Sequence, residues 1–180
     1  VYAFAQAVKA ELGNAHVIIN NAGVSGEGRP VWALSDDSYE RVMGINFWGV
    51  VHGTRAFLPQ LLSNGEGAVV NVSSIFGLVG TPSNSDYCAS KFAVRGMTKQ
   101  VAAEYGPQNV RCNSVHPGYI LTPMMVAATD ENGGGAGDMI PLKRMAAPKE
   151  VSELVMFLAS EESSFITGME HVIDGGMTAC

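Results

Sequence analysis

Short runs of β-branched residues alternate along this chain with stretches of helical spacing, and that alternation limits the fold more than any other feature. Val17-Ile18-Ile19 centres an apolar run over 16–20. Further runs follow at 68–74, 110–116 and 171–173, each bounded by turn or polar residues, as strands are. In 110–116, Cys112 and Ser114 alternate with Asn113 and Val115. Between the runs the apolar period changes. Phe4, Val8 and Leu12 recur every fourth residue, predicting a helix over 2–12 with Gly13 as its stop. Phe47, Val50, Val51, Thr54, Phe57, Leu58, Leu61 and Leu62 continue one helix that begins near Asp36, Asp37 or Ser38 and runs to about 62. Pro59 can bend its last turn. Asn64-Gly65-Glu66-Gly67 is a turn. A second long helix spans 85–105 and stops at Gly106-Pro107. A third starts near Pro148 with the stripe Val151, Leu154, Val155 and Leu158. Four strands and three crossover helices make βαβ units, and βαβ units make a parallel sheet.

Composition fits one unit built on such a sheet. Apolar residues are 47% of the 180 and charged residues 16%, enough for a sizeable core. The net charge of −6 argues against a nucleic-acid binder, which needs a basic face. Cys88, Cys112 and Cys180 are odd in number and far apart, so they read as reduced thiols of a cytoplasmic protein. Cys88 reads as a packing residue. His16, His52, His116 and His171 are scattered, without the spacing of metal ligands, so no metal is expected. Apolar runs fall short of the roughly 18 residues a membrane span needs, and no signal-peptide pattern is present.

The chemistry concentrates at Tyr87-Cys88-Ala89-Ser90-Lys91. A tyrosine and a lysine four apart share one helical face, and a phenol beside an ammonium is a proton-transfer pair. Ser74, thirteen residues earlier, closes the apolar run 68–74, where ligands bind in an open α/β sheet. An unperturbed phenol titrates near 10, so work at neutral pH requires a fall of about three units, roughly 4 kcal/mol. Each residue also has a plain reading. Ser74 can cap a loop, Lys91 can sit at the surface, and Asn46 can be a polar interruption. Pro117-Gly118 can be an ordinary turn, and Thr122-Pro123 a helix start. The joint pattern favours the functional reading.

That pattern resembles the short-chain dehydrogenase/reductases. It comprises Asn20-Asn21-Ala22-Gly23 after a strand, Asn46 in Gly44-Ile45-Asn46-Phe47-Trp48-Gly49, and Asn71-Val72-Ser73-Ser74. Tyr87 to Lys91, Pro117-Gly118-Tyr119-Ile120-Leu121-Thr122 and Val172-Ile173-Asp174-Gly175-Gly176 complete it in the family's order. The resemblance implies an NAD(P)-dependent oxidoreductase that interconverts a secondary alcohol and a ketone. Tyr87 would be the general acid/base. Lys91 would favour the phenolate and bind the nicotinamide ribose. Ser74 would hold the substrate oxygen, and Asn46 would hold a water linking Lys91 to solvent. Asn21, Ala22 and Gly23 would line the adenosine side. Pro117, Gly118, Ile120 and Thr122 would border the nicotinamide of NAD or NADP. Substrate would meet Ser74, Ile75, Tyr87, Tyr119 and Met124.

The resemblance also implies the fold: an α/β, three-layer αβα unit, the C-terminal part of a Rossmann-like doubly wound parallel sheet. A dinucleotide fold begins with a glycine-rich phosphate turn, and none stands between a first strand and its helix here. Gly26-Glu27-Gly28 and the run 133–137 read as a turn and a loop. The expectation is therefore a single, incomplete NAD(P)-binding unit over 1–180, its first βαβαβ half missing, with an exposed edge at strand 16–20. Residues 124–147 are expected to form a substrate lid. Met124, Met125, Met139 and Met145 there serve equally as core filler or as lining for an apolar ketone or secondary alcohol. Family members pair helices 38–62 and 85–105 across a two-fold axis, which implies a homotetramer or dimer. Two other classes stay open: an inactive fragment acting as an interaction module, and a dehalogenase-type lyase, which would carry arginine where Lys91 stands.

Overall fold

A computed structural model describes residues 1–128 and 135–179. Cys180, Gly133, Gly134 and the middle of the expected lid lie outside the described residues. Four parallel strands form one sheet in the order β1 (Val17–Asn20), β2 (Gly67–Val72), β3 (Val110–Pro117), β4 (Glu170–Ile173). The helices are α1 (Tyr2–Leu12), α2 (Asp36–Asn46), α3 (Trp48–Asn64), α4 (Ser85–Tyr105), α5 (Pro123–Ala128) and α6 (Pro148–Ala159).

The sheet separates two apolar layers. On one face Val69 and Cys112 meet Leu61 of α3 and Val101 of α4; on the other, Val70 and Val115 meet Val155 and Leu158 of α6. The period-two alternation expected in β3 is what divides Cys112 from Val115. Burial pushes the Cys112 thiol up to about 12, so it is an inert core atom. One face also carries a polar chain: the Asn20 amide donates to Asn71 Oδ1 at 2.8 Å, and the Asn71 amide donates to Thr98 Oγ1 at 2.9 Å. Gly53 of α3 is needed beside it, because a Cβ there would collide with the Asn20 amide oxygen.

Two expectations are corrected. The helix expected over 36–62 is two helices, broken at Phe47 (φ −104°, ψ −54°), and Pro59 lies inside the second. The run 68–74 does not stay in the sheet to its end. β2 stops at Val72, so Ser74 stands two residues past it, opening the short 3₁₀ turn Ile75–Gly77.

Candidate active site

The loop after β1 and the turn after β2 both meet the first turns of α4, and the expected reactive groups lie there. The turn after β2 is pressed onto α4: a Cβ on Gly77 would lie 2.8 Å from the Lys91 carbonyl, and Ser73 Oγ donates to that carbonyl at 3.0 Å. This fixes Ser74 against the first turns of α4. Ser74 Oγ accepts from Phe76 N–H at 3.2 Å, which leaves its own proton for the Tyr87 phenol it faces. Lys91 Nζ lies 5.6 Å from the centre of the Tyr87 ring and donates to the Val72 carbonyl at 3.0 Å. Burial lowers its pKa to about 8. At pH 7 the group is still mainly cationic.

Tyr87 is half-buried. Burial, the dominant cause, raises its pKa; the Ser74 hydrogen bond opposes this, and Cys88 adds to the rise. Lys91 and Ser74 alone therefore do not acidify the phenol.

Asn46 is buried between the same elements. Its side chain accepts from Val24 N–H at 2.8 Å and donates to the Val24 carbonyl and to Ser90 Oγ, both at 3.0 Å. The side chain thus latches the loop after β1 onto α4. Gly23 belongs to that loop, and a Cβ on it would sit 3.4 Å from both Asn46 Oδ1 and Lys91 Nζ. Asn21, Ala22 and Gly23 thus lead from the end of β1 to the lysine.

The remaining expected residues scatter more. Phe76, half-buried, packs edge-on to Tyr87 and to Tyr119, ring centres 6.5 Å apart in each pair. Ile75 is buried. Gly118 is required by the close approach of Asp174, whose Cα would lie 2.8 Å from a Cβ there. Pro117 ends β3. Ile120 bridges to Ala146. Thr122 Oγ1 accepts from Met125 N–H at 3.4 Å, so Thr122 caps α5. Met124 is exposed.

Three site residues were not foreseen. Ser90 donates to the Tyr87 carbonyl at 2.7 Å and holds Asn46; its place between tyrosine and lysine was the available signal. Asp86 is buried and accepts from Ser38 Oγ at 2.6 Å and from Tyr87 N–H at 2.8 Å. Its carboxylate faces Gly26, where a Cβ would collide with it, so Gly26-Glu27-Gly28 makes no anion cradle. The third is His116, whose ring touches the Ser74 carbonyl.

The sequence model of a family described as enoyl-(acyl carrier protein) reductase matches residues 1–178. A 3-alpha-(or 20-beta)-hydroxysteroid dehydrogenase of Mycobacterium bovis is 44% identical over 168 residues. The chain belongs to the short-chain dehydrogenase/reductase family. The match covers 93% of this chain and 62% of the Mycobacterium protein, so the chain spans less than two thirds of that relative's length. A cyclopentanol dehydrogenase of Comamonas testosteroni is 44% identical over 174 residues, covering 96% of this chain and 69% of that protein. Among solved structures, a gluconate 5-dehydrogenase from Burkholderia cenocepacia in complex with NADP and tartrate superposes with a TM-score of 0.94. It is 28% identical, and the match covers 99% of this chain and 71% of that one. As a short-chain dehydrogenase/reductase the chain has the family's parallel, Rossmann-like sheet with flanking helices. No described helix is long and apolar enough to cross a membrane.

Proposed function

We propose that the protein is an NAD(P)-dependent oxidoreductase interconverting a secondary alcohol and a ketone, with Tyr87 as general acid/base. The convergence of Ser74, Tyr87 and Lys91 at one end of the sheet carries this reading. Ser74 donates toward the oxygen that changes between hydroxyl and carbonyl. Tyr87 gives that oxygen its proton in reduction and takes it back in oxidation. The mainly cationic Lys91 favours the phenolate and replaces a proton lost from Tyr87's surroundings. The nicotinamide, when bound, supplies or accepts the hydride.

The residues fit the nicotinamide–ribose end of such a cofactor. Lys91 has three donors, and the Val72 carbonyl engages one of them. The Cβ-free Gly23 leaves the adjoining space open. Lys91 and the 21–23 loop would hold that end, and Tyr119 and Phe76 would wall the substrate side. A bound positive nicotinamide is the kind of charge that offsets the burial now raising Tyr87. We read residues 124–147 as the substrate cover, its base pinned where Leu121 N–H donates to the Ala146 carbonyl and Ala146 N–H to Tyr119. The names of the hydroxysteroid and cyclopentanol dehydrogenases above make an apolar alicyclic alcohol or ketone the class to assay first. The protein assembles as a homodimer or tetramer and works in the cytoplasm.

Following NADH or NADPH absorbance in the natural gene product tests the mechanism. Tyr87→Phe should lower kcat by about 10²–10⁴-fold with an unchanged far-ultraviolet spectrum. Full turnover in Tyr87→Phe would remove the mechanism.

A further inference from the structure

His116 is fully buried near the end of β3, and the chemistry above gives it no part. Its surroundings do. In the β2–β3 ladder Ser73 N–H donates to the Val115 carbonyl at 2.8 Å. The next parallel rung would be residue 117 N–H to the Ser73 carbonyl. Residue 117 is proline and has no such hydrogen. The two strands therefore lose their backbone tie one residue before Ser74.

The imidazole stands at that gap. Nδ1 is 2.8 Å from the Ser74 carbonyl oxygen, which can only accept, so Nδ1 carries the proton. Nε2 is 2.8 Å from Ser114 Oγ, whose hydroxyl then donates to it. The Ser74 carbonyl also accepts from Gly77 N–H at 2.9 Å, so both its lone pairs are used. The charged groups facing the ring are Glu170 of β4 and Arg95 and Lys91 of α4. Burial keeps the ring neutral, aided by Arg95 and Lys91 and opposed by the Ser74 carbonyl and Glu170.

We infer that His116 is a positioning residue: its Nδ1–H replaces the missing rung and fixes the Ser74 backbone so that the serine hydroxyl faces Tyr87. The inference rests on the proposed roles of Ser74 and Tyr87. A displaced Ser74 would spoil the reacting geometry more than it would weaken ground-state binding.

Nitrogen-15 NMR of histidine-labelled natural protein reads the ring directly. A neutral His116 ring protonated at Nδ1 at pH 7 is expected, and an Nε2–H tautomer would overturn the assignment even if no variant folds. In turnover, His116→Ala should lose about tenfold to a hundredfold in kcat with KM within about threefold. His116→Asn, whose amide can donate from the Nδ1 position, should restore kcat to within about fivefold of wild type. Equal kcat losses in the alanine and asparagine variants, or none in alanine, would overturn it. Loss of turnover in Tyr87→Phe beside an unaffected His116→Ala defeats this inference alone, whereas an active Tyr87→Phe defeats the mechanism beneath it.

Discussion

Lys91 holds an ammonium where water barely reaches, 4% exposed, and the protein bears a cost for it. Its pKa of about 8 against an ordinary 10.5 corresponds to roughly 3 kcal/mol at neutral pH. The unfolded chain keeps that proton up to about pH 10.5, while the folded chain releases it near 8. Between those values the unfolded state binds more protons, so this group's contribution makes unfolding harder as pH rises. Lys91→Met should therefore be more stable than wild type at pH 7, with the gap closing by pH 10. Urea denaturation at both pH values checks this; a gap independent of pH would show the lysine is not held as described. A residue retained against its own stability is what a reactive centre requires. Tyr87 stands in the same position, its acidity lowered by burial.

At the scale of elements, the helices 2–12 and 85–105 were legible in the sequence to the residue, because period and terminators agree: Gly13 ends the first and Gly106-Pro107 the second. The break at Phe47 was not legible. Neither proline nor glycine occupies that position, and the apolar period continues through it. What accompanies it is tertiary: Asn46 bonds to Val24, 22 residues earlier, and to Ser90, 44 residues later. Ser74's place beside Tyr87 was legible through its spacing, though it lies in a turn and not at the strand's last residue. His116 was hidden, because a lone histidine in an apolar strand reads as core until the register exposes the rung that Pro117 omits. Gly53 shows how closely α3 approaches β1. Gly53→Ala would push on an Asn20 amide already tied to Thr54 and Asn71, so it should cost about 1–3 kcal/mol in urea denaturation. A cost near zero would mean that Asn20 moves freely.

For the whole molecule, α3 leaves aromatic surface uncovered, with Trp48 48% exposed and stacked on His52. Phe92 of α4 is exposed as well. Apolar side chains of this size gain from association, and we expect these helices to meet a second copy. Light scattering on the natural protein should give a dimer or tetramer mass, and Trp48→Asp should shift it toward monomer. A wild-type monomer at micromolar concentration would exclude this surface as an interface. Inside the molecule, α4 ties together the site, the polar chain and β4. Its first turns carry Tyr87, Ser90 and Lys91, its middle donates and accepts in the polar chain through Thr98, and Arg95 and Lys99 clasp Glu170 of β4. Tyr87, Ser90 and Lys91 consequently share the lifetime of the core and not that of a surface loop. Their geometry endures until the hydrophobic layers themselves melt, and a fluctuation that freed the tyrosine would have to open the sheet with it.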